Sequence, residues 1–163
     1  MLTRCLPLAA TLVALASPLA AQATHPDFTG TWVLDASKTV VDGPIPPPPA
    51  ASYVVVQVGD SLAVDQKMTS QEGEQVAKKV WRVDGKPWAN AITYGGVDMV
   101  LSSTLSWNGA VLTIHTTSDY QGTPAEQTET WTLGSDGKTL TQSTSTSANG
   151  DYYATMTLVF SRK

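Results

Sequence analysis

The chain has 163 residues, of which 42% are hydrophobic and 15% charged, with one cysteine and a formal net charge of −4. An acidic chain without a dense Lys/Arg cluster is a poor match for a phosphate backbone, which argues against nucleic-acid binding. The closest basic grouping, Lys78, Lys79 and Arg82, is expected on a solvated strand face.

The first 23 residues are set apart from the fold. Met1 to Arg4 make a short positive start, an apolar run extends from Leu6 to Leu19, and Ala21-Gln22-Ala23 is an A-x-A arrangement. This is the layout of a secretory signal peptide, with cleavage expected after Ala23 and after Ala21 as the second choice. The run falls short of the roughly 20 residues of a spanning helix and contains Pro7 and Pro18, so no stable membrane anchor is expected. Cys5 precedes the apolar run instead of following it, which argues against a lipid-modified cysteine. Loss of the segment takes the formal charge to about −5 and leaves no cysteine, so stability must come from the core. Residues 24–163, about 140 in all, are expected to form one domain in the periplasm or outside the cell.

Thr24 to Asp27 read as a mobile lead-in. The first strand is expected from Gly30 to Asp35, with Trp32 and Leu34 on one face. Asp35 is placed to cap one helical turn through Thr39. Residues 42–50 hold five prolines within Pro44 to Pro49, which lack ladder donors; they read as a stiff connection at one barrel mouth, or as a lid or docking segment.

From Ser52 the chain becomes short alternating segments separated by turn residues. Expected strands are 53–58, 62–68, 75–83, a weaker 86–92, 98–107, 111–117, 127–133, 140–146 and 152–162. Asn108-Gly109 is the strongest two-residue hairpin signal, and Tyr120 to Pro124 reads as a loop. Evenly spaced turns without an amphipathic helix argue an all-β meander. Its edges are best resolved by closure into an antiparallel up-and-down β-barrel of about 8–10 strands, with a two-sheet β-sandwich as the alternative.

Parity assigns the interior. Leu62, Val64, Gln66 and Met68 share one face, as do Met99, Leu101, Ser103, Leu105 and Trp107, then Leu112 with Ile114, Glu129 with Trp131 and Leu133, and Met156 with Leu158 and Phe160. Polar interruptions fall at Gln66, Ser103, Glu129, Gln142 and Thr144. The candidate ligand-lining residues are therefore Gln66, Met68, Met99, Leu101, Trp107, Glu129, Trp131 and Met156, with Gln66 or Glu129 orienting the guest. Trp81 and Trp88 flank the Asp84-Gly85 turn and are candidates for a mouth or for packing under a loop.

The Gly30-Thr31-Trp32 signature near the start, with Arg162 on the last strand, resembles the lipocalin/calycin superfamily, and in particular small secreted bacterial lipocalin-like proteins of unassigned function. Asp27 to Asp35, Trp107-Asn108-Gly109, Ser135 to Leu140 and Phe160 to Lys163 extend the likeness over nearly the whole mature chain. The resemblance implies a barrel closed structurally by Gly30, Trp32 and Arg162, and a cavity for a small hydrophobic or amphipathic molecule.

No catalytic constellation emerges. Ser135-Asp136-Gly137-Lys138 matches S-x-x-K but is better read as a hairpin turn, and Gly137-Lys138-Thr139 lacks the first glycine and the helix of a phosphate loop. Glu126 and Glu129 have opposite parity, so they point to opposite faces. Glu129 is the best single functional carboxylate. His25 falls in the lead-in and His115 on an outward face, where it could not serve as a haem ligand, so neither a metal nor another cofactor is expected. The reading is a non-enzymatic binding barrel, with a filled structural or protein-interaction barrel as the alternative. Oligomeric state is left open.

Overall fold

The computed structural model describes residues 25–163 apart from Glu72; the expected signal peptide lies outside the described residues. Eleven strands are present among the described residues: β1 Gly30–Leu34, β2 Val40–Asp42, β3 Ala50–Val58, β4 Ser61–Ser70, β5 Gly73–Arg82, β6 Trp88–Tyr94, β7 Val97–Asn108, β8 Val111–Tyr120, β9 Thr123–Leu133, β10 Thr139–Ala148 and β11 Asp151–Arg162. They form one antiparallel sheet in the order β5-β4-β3-β1-β11-β10-β9-β8-β7-β6, with β2 pairing beside β1 on β11. Strands β5 and β6 end the order yet are joined by a short turn, so the sheet curls into a nearly closed up-and-down barrel of ten wall strands.

The strands run longer than their sequence signals. Gln121 and Gly122 both take positive φ, at 54° and 84°, so the expected loop around Tyr120 to Pro124 is a two-residue hairpin. Asp119 pairs with Pro124 there, and the Pro124 carbonyl accepts from Asn149 N–H at 2.9 Å. A proline at an exposed strand start leaves no buried donor missing. The β10–β11 register shifts between Thr146 and Ser147, a bulge that gives Tyr153 no partner on β10.

One end of the barrel is a packed floor. Trp32 is fully buried, and its indole N–H donates to Phe28 O at 2.8 Å. Phe28 stacks on Trp107 and meets Trp131 edge-on, and Tyr53 packs on Phe160 at 4.6 Å between ring centres. Residues 25–27 are tied into this floor, which corrects the expected mobile lead-in. His25 stacks on Trp107 at 4.4 Å, Gln57 donates to Pro26 O at 3.2 Å, and Asp27 accepts from Thr29 N–H at 2.8 Å. Sequence alone missed it because the anchors, Gln57 and Trp107, lie far along the chain.

At Gly30 the reason for glycine is conformational. A Cβ there would sit at ordinary contact distance, 3.7 Å, from the Arg162 side chain, but φ is +148°, which other residues rarely adopt.

The opposite end is a mouth ringed by the β4–β5, β6–β7, β8–β9 and β10–β11 hairpins. Asp35 caps a single 3-10 turn, Ala36–Lys38, after which β2 continues along β11 toward this mouth. The proline-rich segment then joins β2 to β3, neighbouring stretches of wall, so it follows one part of the rim instead of crossing between opposite walls. Pro48 is buried and Ile45 half-buried, so the segment lies against the barrel.

Candidate functional site

Above the floor the interior becomes mixed in polarity. Alternation brings Tyr53, Gln66, Lys79, Glu129, Gln142 and Thr144 inward from five strands. The Tyr53 hydroxyl donates to Gln142 Oε1 at 2.8 Å, linking β3 to β10. Loss of water raises the Tyr53 pKa far above its ordinary value, and the Glu129 charge pushes the same way against the Gln142 bond. The Glu129 carboxylate accepts the Trp131 indole N–H. Ser103 and Thr116, also inward, share a hydroxyl hydrogen bond at 2.9 Å.

Lys79 corrects the sequence reading of a solvated basic face. Lys78 and Arg82 do face solvent, but Lys79 has the parity of Ala77 and the buried Trp81, and it lies opposite the buried Val64. Its ammonium is 5.8 Å from the centre of the Trp81 ring. Desolvation lowers its pKa, partly offset by the charge of Glu129. Among the described residues no carboxylate comes within salt-bridge distance of it, whereas Lys78 pairs with Asp65 at 3.6 Å on the outside. The parity that would have revealed Lys79 was present in the sequence. The adjacency of Lys78 and Arg82 masked it.

The candidate lining residues separate into two groups. Gln66 stands across from Tyr53, Met68 one rung nearer the mouth opposite Ala51, and Met156 opposite Thr144. Met99 and Leu101 face Ile92 and Asn90 across β6 and β7. These five and Glu129 have inward parity and are half-buried. Trp131 is instead buried beside Phe28 and Tyr53, and Trp107 stacks on His25 and Phe28, so both belong to the floor. Trp81 is buried in the wall, not at a mouth, and its indole N–H has no hydrogen-bond partner among the described residues. Trp88 packs under Arg82 and donates to Asp84.

The wall has one interruption. β5 and β6 share no ladder pairing among the described residues. The Asn90 side chain substitutes for it, accepting from Val80 N–H at 2.7 Å and donating to Val80 O at 3.2 Å. Beyond that latch the strands part around a cleft of about 440 Å³, lined by Val76, Ala77, Lys78, Ala91, Ile92, Thr93 and Asp98. Ala77 and Ile92 have inward parity and the other five outward parity, so the cleft is a groove on the outer face where the strands part, and Ala77 on its edge stands one rung from Lys79.

His115 lies exposed on β8 beside Thr128. Among the described residues no group of three His, Cys, Asp or Glu side chains is placed to hold a metal ion.

No protein-family model and no curated protein sequence matches the chain. Solved structures do. Zebrafish ileal bile acid-binding protein complexed with cholic acid superposes with a TM-score of 0.53 at 16% identity, over 83% of this chain and 98% of that one. Secretory abundant heat soluble protein 4 from Ramazzottius varieornatus gives 0.54 at 15% identity, over 88% and 99%. Rv2717c from M. tuberculosis gives 0.50 at 16%, over 83% and 92%. With ten antiparallel wall strands, an aromatic floor and these neighbours, the chain has the lipocalin/calycin barrel fold.

Proposed function

We propose that the protein is a non-enzymatic binding barrel that holds one small amphipathic molecule in the mouth half of its interior. The apolar part would lie against Met68, Met99, Leu101 and Met156, and its polar end at Gln66, Lys79 and Glu129. The observation that carries this reading is the buried Trp81 N–H, which has no hydrogen-bond partner among the described residues, next to the inward, half-buried Lys79 ammonium, which has no salt bridge among them. A buried donor such as the Trp81 N–H, left without an acceptor, costs about 1–3 kcal/mol, a penalty that a guest supplying an acceptor would relieve. The bile-acid-binding neighbour supports the same reading at the level of fold. Affinity would come mainly from apolar burial, at roughly 25 cal/mol per Å².

The test is titration of the purified protein with dodecanol and dodecanoate, read by native mass spectrometry and tryptophan emission. Saturable one-to-one uptake is expected, weakened at least tenfold by Leu101→Trp, which adds bulk to the lining. No uptake of either amphipath, with a clean apo mass for protein from its own cells, would favour a filled structural barrel.

A periplasmic or secreted location is proposed on the pattern of Met1 to Ala23. N-terminal sequencing of the protein from fractionated cells tests it; a mature protein beginning near Thr24 in the periplasm or medium is the expected result.

A further inference from the structure

Lys79 and Lys78 are neighbours in sequence with opposite surroundings. Lys78 projects outward, exposed, against Asp65. Lys79 projects inward between Ala77 and Trp81, opposite the buried Val64, half-buried and without a salt-bridge partner among the described residues. Amines add to carbonyl carbon only as the free base. A lysine held in partly apolar surroundings gives up its proton more readily than one in water.

We propose that Lys79 captures apolar aldehydes covalently, as an imine formed inside the barrel. This rests on the binding reading above and adds the chemical class of the guest. The ammonium first releases a proton to water. The Nζ lone pair then attacks the carbonyl carbon, forming a C–N bond and opening the C=O π bond, and one N–H proton passes through water to the oxygen to give a neutral carbinolamine. The C–O bond breaks as the hydroxyl takes up the proton released at the start and leaves as water, and a protonated C=N bond remains. One ammonium and one aldehyde thus become one protonated imine and one water, with no change of oxidation state. The surroundings favour each stage. The mouth admits the guest, and the apolar side chains of Val64, Ala77 and Trp81 beside Lys79 restrict the water that would hydrolyse the imine. Glu129, whose charge already acts on Lys79, stabilises the protonated imine electrostatically. The capture is stoichiometric, one guest per barrel.

The experiment uses dodecanal as probe and dodecanol as its non-covalent counterpart. Protein is incubated with dodecanal, reduced with cyanoborohydride, and analysed by intact mass and peptide mapping; dodecanol uptake is followed in parallel. The expected result is one alkyl adduct per chain, on Lys79 at least tenfold over Lys78. The adduct should be lost in Lys79→Arg and Lys79→Met, whereas Lys78→Arg, on the outer face, should keep both the Lys79 adduct and dodecanol uptake. Wild-type protein is its own control through Lys78, so the test stands even if a variant folds poorly. Dodecanol uptake with adducts spread over surface lysines, or none, overturns the imine and leaves the binding reading intact. Failure to take up dodecanol, with no enrichment at Lys79, overturns both.

Discussion

The guanidinium carbon of Arg162 lies 4.5 Å from the centre of the Trp32 ring, and the two residues are direct partners across β1 and β11. Arg162 also donates to Asp27 O at 3.3 Å, so one side chain ties the last strand, the first strand and the segment before it. Arg162→Ala is therefore expected to lose about 2–3 kcal/mol in urea unfolding, from a partly desolvated cation–π contact and the lost hydrogen bond. Arg162→Lys should recover less than half, because an ammonium cannot lie flat on the indole while reaching Asp27. A loss below about 0.5 kcal/mol for Arg162→Ala would remove the closure role.

Asn90→Ala should open the barrel wall. It leaves Val80 N–H and C=O without their side-chain partners in a region with no backbone ladder to replace them. A loss of about 2–4 kcal/mol is expected, with hydrogen exchange accelerated first at Val80 and then along residues 76–78. Uniform acceleration over all strands would show instead that the latch has no local role.

Tyr53→Phe should change the alkaline limb of stability. The folded pKa of Tyr53 is raised, so the stabilisation it contributes is fully present below its unfolded value, about 10, and is lost as pH rises beyond it. Wild-type stability should fall more steeply than that of the variant above about pH 10. At pH 8 the variant should be weaker by about 1 kcal/mol, because the buried Gln142 loses its donor. Parallel curves for the two proteins above pH 10 would contradict the buried phenol.

Lys79→Met should be more stable than wild type near pH 7, by about 1 kcal/mol, as expected when a poorly compensated charge leaves a low-dielectric site. The folded pKa of Lys79 is depressed, so its cost is fully present below that value and vanishes as pH rises toward the unfolded value, about 10.4. The stabilisation should therefore shrink with rising pH. Thermal melts at pH 7 and pH 10 measure it, and a destabilised Lys79→Met at both would show that Lys79 is well compensated.

Much of the wall is legible along the chain, because strand parity and tight turns are local properties. Leu62 and Val64, or Leu112 and Ile114, declare a buried face by alternation alone, and Asn108-Gly109 declares its hairpin. Residues whose setting depends on distant partners are harder to read. Trp107 and Trp131 share parity with lining residues, yet their depth along the barrel puts them in the floor with His25 and Phe28. Asn90 resembles any polar strand residue until β5 and β6 diverge and leave Val80 in need of its amide.

By itself the sequence determined the alternation, the hairpins and the terminal Trp32 and Arg162, since each follows from φ/ψ preference and side-chain period within a few residues. Only the tertiary structure decided how far up the barrel each inward residue stands, where the wall opens, and that Lys79 faces the interior without a salt-bridge partner among the described residues while Lys78 is paired outside. Those outcomes depend on the curvature and closure of the whole sheet, which set distances between strands far apart in the chain.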